Sequence, residues 1–145
     1  MTPLEVLIVD DNRGDVVLLR EAIRQAALNY RVHVVRDGVE AVDYLHRRGE
    51  YGESRRPDLI LLDLKLPRKN GREVLDEIRP DDSLWRIPLV ALSSSASELE
   101  HARASGLPAE RCLAKPDSYE GYVALVRDID ALRQRAAAGE LQGSS

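Results

Sequence analysis

The chain has 145 residues, which is enough for one domain with a single hydrophobic core. Its 43% hydrophobic and 32% charged residues are typical of a globular protein, and its net charge of −4 argues against a nucleic-acid-binding surface. Because no segment has the roughly 18 consecutive apolar residues of a membrane-spanning helix, and the N-terminus lacks a signal-peptide pattern, we expect a cytoplasmic protein that binds neither membrane nor nucleic acid.

Short runs rich in aliphatic residues predict strands, and segments with apolar residues at helical spacing predict helices between them. We expect one domain over residues 1–135, followed by a small, polar tail over residues 136–145 that is predicted to be disordered. In chain order the predicted elements are strand Glu5–Asp10, helix Asp15–Leu28, strand Arg31–Arg36, helix Val39–His46, strand Asp58–Asp63, helix Gly71–Arg79, strand Pro88–Ser93, helix Ser97–Ala104, strand Arg111–Lys115 and helix Tyr119–Arg135.

The alternation of strands and helices is typical of an α/β protein with a parallel sheet and helices on both of its faces. The first and third strands are the most continuously aliphatic, which places them in the middle of the sheet. Right-handed crossovers then favour a flavodoxin-like (βα)5 doubly wound sheet with strand order 2-1-3-4-5. The winding direction reverses between strands one and three, so we expect a functional crevice at their carboxyl ends.

Charged side chains follow the strands that end at this crevice. Asp10 and Asp11 follow strand one, Asp63 ends strand three, and Lys115 ends strand five. Three carboxylates and one ammonium leave a charge of about −2, which a divalent cation would cancel. Because carboxylate and carbonyl oxygens are hard ligands, the set favours Mg²⁺ over zinc.

A hydroxyl completes the predicted site, because Ser93 ends strand four on the same rim. Pro67 and Gly71 shape the loop after Asp63. A carboxylate nucleophile, a magnesium ion, an ammonium and a hydroxyl are the groups needed to accept a phosphoryl group. We therefore interpret Asp63 as a reactive carboxylate, exposed on the floor of the crevice beside a metal ion.

Two other function classes are compatible with parts of this pattern. A magnesium-dependent aspartyl-phosphate phosphatase is the main alternative, but such enzymes place a second carboxylate two positions after the nucleophile, where this chain has Lys65. A flavodoxin-like electron carrier is disfavoured because the first loop, DDNRGD, is acidic where a flavin phosphate needs donors. Asn12 in this loop either caps the first helix or lines the site.

Four motifs in this order resemble the receiver domain of two-component response regulators: DD after strand one, LLDLKLP after strand three, ALSSS after strand four and LAKP after strand five. The resemblance covers about residues 4 to 133. The amino-acid sequences of three segments are most similar to those of single-domain regulators that partner bacterial phytochrome histidine kinases: DDNRGD, LDLKLPRKNG and IPLVALSSS. The resemblance implies a stand-alone response regulator, not an enzyme, which is phosphorylated by a sensor histidine kinase and signals through a changed protein-interaction surface.

The resemblance also implies a role for each acidic residue of the crevice. Asp63 would be the phosphoacceptor. Asp11, Asp63 and the main-chain carbonyl of Lys65 would bind Mg²⁺ directly, and Asp10 would hold the ion through a water molecule.

Three further expectations concern strands four and five. By resemblance, Ser93 would be the switch hydroxyl that moves to the phosphoryl group, and the ammonium of Lys115 would pair with that group. The peptide bond between Lys115 and Pro116 would be cis. The chain departs from the family at Cys112, where many receivers carry an aromatic switch residue. Cys112 is the only cysteine, which excludes an intramolecular disulfide, and we interpret it as a small buried hydrophobe.

A homodimer through the predicted fourth helix, fifth strand and fifth helix is the expected assembly. The fifth helix carries Val123, Ala124 and Ala131 beyond its inward stripe, so more than one of its faces is apolar. Surplus apolar surface beside a switch is suited to a two-fold contact. The inward stripe consists of Tyr122, Val126, Ile129 and Leu132.

Overall fold

The computed structural model describes residues 2–138 and contains a five-stranded parallel sheet. The strand order is β2-β1-β3-β4-β5, so the predicted flavodoxin-like fold is confirmed. Every strand begins and ends within one residue of its predicted limits, because the aliphatic runs coincide with the buried stretches. The strands are β1 Leu4–Val9, β2 Tyr30–Val35, β3 Leu59–Asp63, β4 Leu89–Ser93 and β5 Cys112–Ala114.

Five helices connect or follow the strands, each preceded by a polar residue whose side chain accepts a backbone N–H of the first turn. The first helix begins two residues before its predicted start, because Asn12 caps it, and ends near Ala27, whose left-handed φ of 57° breaks the helix. The helices are α1 Arg13–Gln25, α2 Gly38–Leu45, α3 Gly71–Ile78, α4 Ala96–Ala104 and α5 Tyr119–Ala137.

Three shorter helical segments were not predicted from the sequence. One is a single α-helical turn, Asp82–Trp85, and the others are 3₁₀ turns at Gly49–Tyr51 and Ala109–Arg111. Each is too short to show an apolar stripe, which is the signal on which the helix predictions depend.

The hydrophobic core is divided between the two faces of the sheet. On one face α1 and α5 pack through side chains such as Leu19 and Val126, and on the other α2, α3 and α4 pack through Val42, Val74 and Leu99. All residues of β3 are buried, as its central position requires. At the carboxyl ends of β1 and β3, Asp11 and Asp63 line a cleft.

The last helix is longer than predicted. It continues two residues beyond Arg135, to Ala137, and Ala136 is buried. The remainder of the predicted tail, residues 139–145, lies outside the described residues. None of the helices within residues 2–138 combines the length and the apolar character needed to span a bilayer.

Candidate functional site

The structure brings Asp10, Asp11 and Asp63 together at one edge of the sheet. Val9 pairs with Leu62 in the β1–β3 ladder, so the next residues, Asp10 and Asp63, lie at the same level on neighbouring strands. One carboxylate oxygen from each of the three aspartates lies within 4.8 Å of the others. Asp10 and Asp63 are buried and Asp11 is exposed, so the cluster has a buried floor and one ligand group at its mouth.

Lys115 neutralises part of this cluster from the end of β5. Its Nζ donates to Asp15 Oδ2 at 2.6 Å, to Asp63 Oδ2 at 3.0 Å and to Asp10 Oδ2 at 3.3 Å. Burial alone would lower the pKa of Lys115, but the hydrogen bond to Asp15 and the charges of Asp63 and Asp10 outweigh burial and raise it. The lysine is therefore a fixed positive charge shared by three carboxylates.

Asp10 has the most strongly perturbed carboxyl group of the site. Only 2% of the residue is exposed, and this burial, together with the charge of Asp63, raises the pKa of Asp10 to about 6. The backbone N–H of Asn12, 2.8 Å from Asp10 Oδ1, and the ammonium of Lys115 oppose the rise without cancelling it. A bound cation would favour the ionised form of this carboxyl group.

Asp63 is more enclosed than the sequence interpretation expected. The residue is 5% exposed, and its Oδ1 accepts the backbone N–H of Lys65 at 3.0 Å while its Oδ2 accepts the ammonium of Lys115. Each carboxylate oxygen keeps a free acceptor position, since an ionised carboxylate has about four lone-pair sites. Asp63 is reached through the cleft above it.

The cleft has a volume of about 670 Å³ and contains most of the predicted site residues. Asn12 lines it and also caps α1 by accepting the N–H of Asp15 at 3.0 Å, so both interpretations left open for Asn12 hold. The lining residues are Asp11, Asn12, Asp15, Asp63, Lys65, Leu66, Pro67, Ser93, Ser94, Ser95, Glu98 and Lys115.

The hydroxyl of Ser93 is bonded to the first turn of α4. Ser93 is 1% exposed, its Oγ donates to Glu98 Oε1 at 2.6 Å, and the same Oγ accepts the backbone N–H of Ser95 at 2.9 Å. Sequence reasoning singled out Ser93 but missed Glu98. The S-x-x-E spacing from Ser95 to Glu98 is a helix-start signal that could have placed this carboxylate next to the strand end.

Asp15 is the second site residue that sequence reasoning missed. It lies in the first turn of α1, where an acidic residue is usually interpreted as a favourable partner of the helix dipole. Its place in the first turn of α1, directly after the loop that carries Asp10 and Asp11, is the available signal that it faces the same cleft.

The loop after Asp63 is held by close backbone packing. The N–H of Gly71 donates to the carbonyl of Leu64 at 3.0 Å, and a Cβ added to Gly71 would lie 2.6 Å from Leu64 Cα. Only glycine fits here without displacing the backbone that carries Lys65. Pro67 lines the cleft from this loop, in agreement with its expected role.

Strand β5 gives one correction and one agreement. The Lys115–Pro116 peptide is trans, so the predicted cis bond is wrong. The two isomers differ in free energy by only about 0.5–1 kcal/mol, a difference too small for the local sequence to decide.

Cys112 is buried and its thiol contacts the carbonyl of Pro108 at 3.6 Å. Its interpretation as a small buried hydrophobe is confirmed, and burial raises the pKa of the thiol.

Comparison with known proteins identifies relatives of matching length. Residues 6–127 match the family model of the response regulator receiver domain. The response regulator Rcp1 of Synechocystis sp. is 36% identical over 129 residues, which cover 89% of this chain and 88% of Rcp1. The Mn²⁺-bound form of Rcp1 superposes with a TM-score of 0.78 at 35% identity, over 89% of this chain and 93% of that structure.

Two solved structures extend the likeness to regulators named for phytochromes. The phosphorylated cyanobacterial phytochrome response regulator RcpA is 39% identical, with a TM-score of 0.80 over 89% of this chain and 92% of that chain. The bacteriophytochrome response regulator RtBRR is 37% identical, with a TM-score of 0.76 over 88% of this chain and 78% of that chain. The protein belongs to the response regulator receiver domain family, and it is related to the phytochrome response regulators within that family.

Proposed function

We propose that this protein is a response regulator that accepts a phosphoryl group from a sensor histidine kinase onto Asp63. The observation that carries the proposal is the position of Asp63 on the floor of an open cleft, 3.0 Å from the ammonium of Lys115 and beside two further carboxylates. An ionised carboxylate next to a fixed positive charge is suited to attack an incoming phosphoryl group.

In the proposed reaction an oxygen of Asp63 forms a bond to phosphorus while the bond from phosphorus to the kinase histidine nitrogen breaks. The electron pair of the broken bond stays on the imidazole nitrogen. Lys115 stabilises the negative charge on the phosphoryl oxygens, since its ammonium already lies next to the acceptor. Ser93 offers its hydroxyl to a phosphoryl oxygen from the end of β4.

The donor set of the site fits Mg²⁺. Four carboxylates, those of Asp10, Asp11, Asp15 and Asp63, surround or adjoin a single ammonium, so the site is deficient in positive charge. We propose that Asp11, Asp63 and the carbonyl of Lys65 bind the ion directly and that Asp10 holds it through water. When bound, Mg²⁺ would neutralise charge on the phosphoryl oxygens. The Mn²⁺-bound form of the relative Rcp1 supports a divalent cation.

We propose a signalling role rather than an enzymatic one. The phosphatase alternative requires a proton donor two positions after the nucleophile, and Lys65 is exposed and cationic at that position. Apart from the proposed metal ligands, the carboxylates that line the cleft are those of Asp15 and Glu98, which accept hydrogen bonds from Lys115 and Ser93. No observation on the described residues favours turnover of a separate substrate.

A bacterial phytochrome histidine kinase is the proposed phosphoryl donor. The support is the likeness to RcpA and RtBRR, which are named as phytochrome and bacteriophytochrome response regulators. The likeness covers 89% of this chain for RcpA and 88% for RtBRR.

Transfer of labelled phosphate from an autophosphorylated bacteriophytochrome kinase tests the proposal. Label should pass to the wild type and to Asp76→Asn, a matched change of an exposed aspartate on α3, but not to Asp63→Asn. Chelation of Mg²⁺ should abolish transfer to the wild type and to Asp76→Asn. Label that attaches to Asp63→Asn and resists acid but is released by base would show that Asp63 is not the acceptor.

We also propose the predicted homodimer through α4, β5 and α5. The inward stripe of α5 is buried as expected, while Ala124 and Ala131 are exposed and Val123 is half-buried. Because these side chains are small, the interface offers little apolar area and the dimer should be weak. Light scattering at micromolar concentration tests it: a monomer mass with and without beryllofluoride would contradict the assembly.

A further inference from the structure

We propose that Glu98 is a positioning residue that holds the Ser93 hydroxyl against α4 and thereby couples phosphorylation to the start of this helix. The inference rests on the proposed function, because it concerns what the Ser93 hydroxyl must leave when a phosphoryl group arrives. The observation that carries it is the cap at the start of α4, where the hydroxyl of Ser93 lies between the N–H of Ser95 and the carboxylate of Glu98.

Helix α3 shows the ordinary form of this cap in the same protein. There the side chain of Asn70 accepts the N–H of Glu73 at 3.0 Å, and the side chain of Glu73 accepts the N–H of Asn70 at 3.1 Å. The two groups satisfy each other directly, as in a capping box.

Helix α4 begins with the same residue pattern but a different set of bonds. Ser95 Oγ accepts the N–H of Glu98 at 3.3 Å, as a cap should. The N–H of Ser95, however, donates to Ser93 Oγ at 2.9 Å, and the Ser93 hydroxyl donates to Glu98 Oε1 at 2.6 Å. The Ser93 hydroxyl is therefore inserted into the capping box of α4.

Because of this insertion, Glu98 and a phosphoryl group on Asp63 would compete for the hydroxyl proton of Ser93. A serine hydroxyl has one proton to donate, and in this structure that proton is bonded to the Glu98 carboxylate. Ser93 is buried, which strengthens a hydrogen bond to a charged acceptor and limits its exchange with water. The hydroxyl can bond a phosphoryl oxygen only when it gives up Glu98.

Release of the hydroxyl would also change the start of α4. Movement of Ser93 leaves the N–H of Ser95 without its acceptor and the carboxylate of Glu98 without its donor. In the cap of α3 the equivalent groups, the N–H of Asn70 and the carboxylate of Glu73, are hydrogen-bonded directly to each other. The N–H of Ser95 and the carboxylate of Glu98 can therefore form the same bond in α4. The cap of α4 thus has two arrangements, and phosphorylation selects between them.

This route explains how the chain can transmit a signal without an aromatic residue at position 112. Cys112 has no aromatic ring that could move with the hydroxyl. It is buried, and its thiol donates a weak hydrogen bond to the carbonyl of Pro108. The Ser93–Glu98 contact connects the cleft to α4 directly, and α4 belongs to the face proposed for the dimer.

Beryllofluoride with Mg²⁺ is the probe that tests the coupling, because it mimics the phosphoryl group without a kinase. Calorimetry would measure its binding to the wild type, Glu98→Gln, Ser93→Ala and the double variant. Replacing a charged by a neutral acceptor costs the Ser93 bond about 1 kcal/mol, so Glu98→Gln should bind the probe about threefold to tenfold more tightly. The gain should vanish in the Ser93→Ala background.

The Ser93→Ala background separates positioning from simple electrostatics. If Glu98 acts only as a negative charge near an anion site, Glu98→Gln will tighten binding equally with and without the hydroxyl, and the inference is overturned. Glu100→Gln is the matched control, since it removes an exposed carboxylate from the same helix and should change nothing.

A second measurement follows the cap itself. Amide hydrogen exchange should show that the N–H of Ser95 stays protected in Glu98→Ala, where Ser93 Oγ still accepts it, and in Ser93→Ala, where the Glu98 carboxylate can accept it directly, but loses protection when both residues are replaced by Ala. Protection of Ser95 that persists in this double variant, or that is lost in Glu98→Ala alone, would overturn the two arrangements of the cap. A wild type that binds no beryllofluoride overturns the proposed function as well, whereas binding with no dependence on Ser93 overturns this inference alone.

Discussion

The ammonium of Lys115 lies closer to the carboxylate of Asp15, at 2.6 Å, than to that of Asp63, at 3.0 Å. A lysine that is expected to serve the phosphoacceptor is thus bonded most closely to a residue of α1. The Asp15 side chain is 22% exposed and the Lys115 side chain 10%, so the pair is shielded from solvent on most sides. Asp15 can therefore fix the direction in which the ammonium points.

Replacing Asp15 by Asn should make the amine of Lys115 more reactive. The hydrogen bond to Asp15 is the strongest of the effects that raise the pKa of Lys115, so its loss should lower that pKa and increase the neutral, nucleophilic fraction of the amine. We expect acylation of Lys115 at pH 8.5 to be about threefold to tenfold faster in Asp15→Asn, since each pKa unit is a factor of ten. Mass spectrometry of modified peptides measures the rate.

The chain supplies its own reference for this experiment. It contains only three lysines, and Lys65 is exposed in the cleft loop. The rate at Lys115 is therefore reported relative to Lys65 in the same sample. An unchanged ratio in Asp15→Asn would mean that Asp15 does not control the ammonium.

Asp10 should make the metal-free protein less stable as the pH rises. Its folded-state pKa of about 6 is higher than the ordinary value of 3.8, so its contribution to stability is fully present below about pH 4 and is lost as the pH passes through 6. Asp10→Asn cannot ionise and avoids this loss. We expect the variant to match the wild type near pH 4 and to be more stable by about 1–3 kcal/mol at pH 7.5.

Urea unfolding in the presence of a chelator, at pH 4, 6 and 7.5, measures this difference. Groups other than Asp10 titrate in both proteins, so the comparison isolates the substituted carboxyl group. Saturating Mg²⁺ should reduce or reverse the advantage of Asp10→Asn, because the ionised carboxylate helps to hold the ion. A variant less stable than the wild type at pH 7.5 without metal would contradict the prediction.

Sequence was a good guide to the sheet and to the residues at the strand ends. The continuous aliphatic runs of β1 and β3 placed them in the centre, and the parallel order then carried Asp10 and Asp63 to the same edge. Lys115 also follows from this reasoning, because only its strand position and charge were needed. These features depend on periodicity and topology, which local sequence encodes.

Asp15 and Glu98 could not be assigned in the same way. Both lie in the first turn of a helix, where acidic residues are common for reasons unrelated to a site. Their contacts depend on how each helix is oriented against the strand ends, which is a property of tertiary packing. The trans peptide between Lys115 and Pro116 is similarly decided by packing, because the intrinsic energy difference between the isomers is small.

The thiol of Cys112 should be inert in the native protein. Burial raises its pKa, which lowers the fraction of reactive thiolate, and only 5% of the residue is exposed. We expect alkylation by iodoacetamide at pH 8 to be at least about a hundredfold slower than in the urea-unfolded chain, since reaction requires an opening of the structure. Alkylation of the native protein at the unfolded rate would show that this end of β5 is open.

Removal of the Lys115 ammonium should make stability strongly dependent on Mg²⁺. In Lys115→Ala the acidic cluster loses its internal cation, and carboxylates that accepted its hydrogen bonds are left buried and uncompensated. We expect a loss of about 2–3 kcal/mol in the free energy of unfolding without metal. A divalent cation replaces the missing charge, so Mg²⁺ should raise the Tm of the variant by several degrees more than that of the wild type. Thermal melts with Mg²⁺ and with a chelator measure both effects, and Lys65→Ala, which removes an exposed lysine from the same cleft, should melt like the wild type in each condition. Equal Mg²⁺-induced shifts in Lys115→Ala and the wild type would mean that Lys115 and the cation do not compensate the same charges.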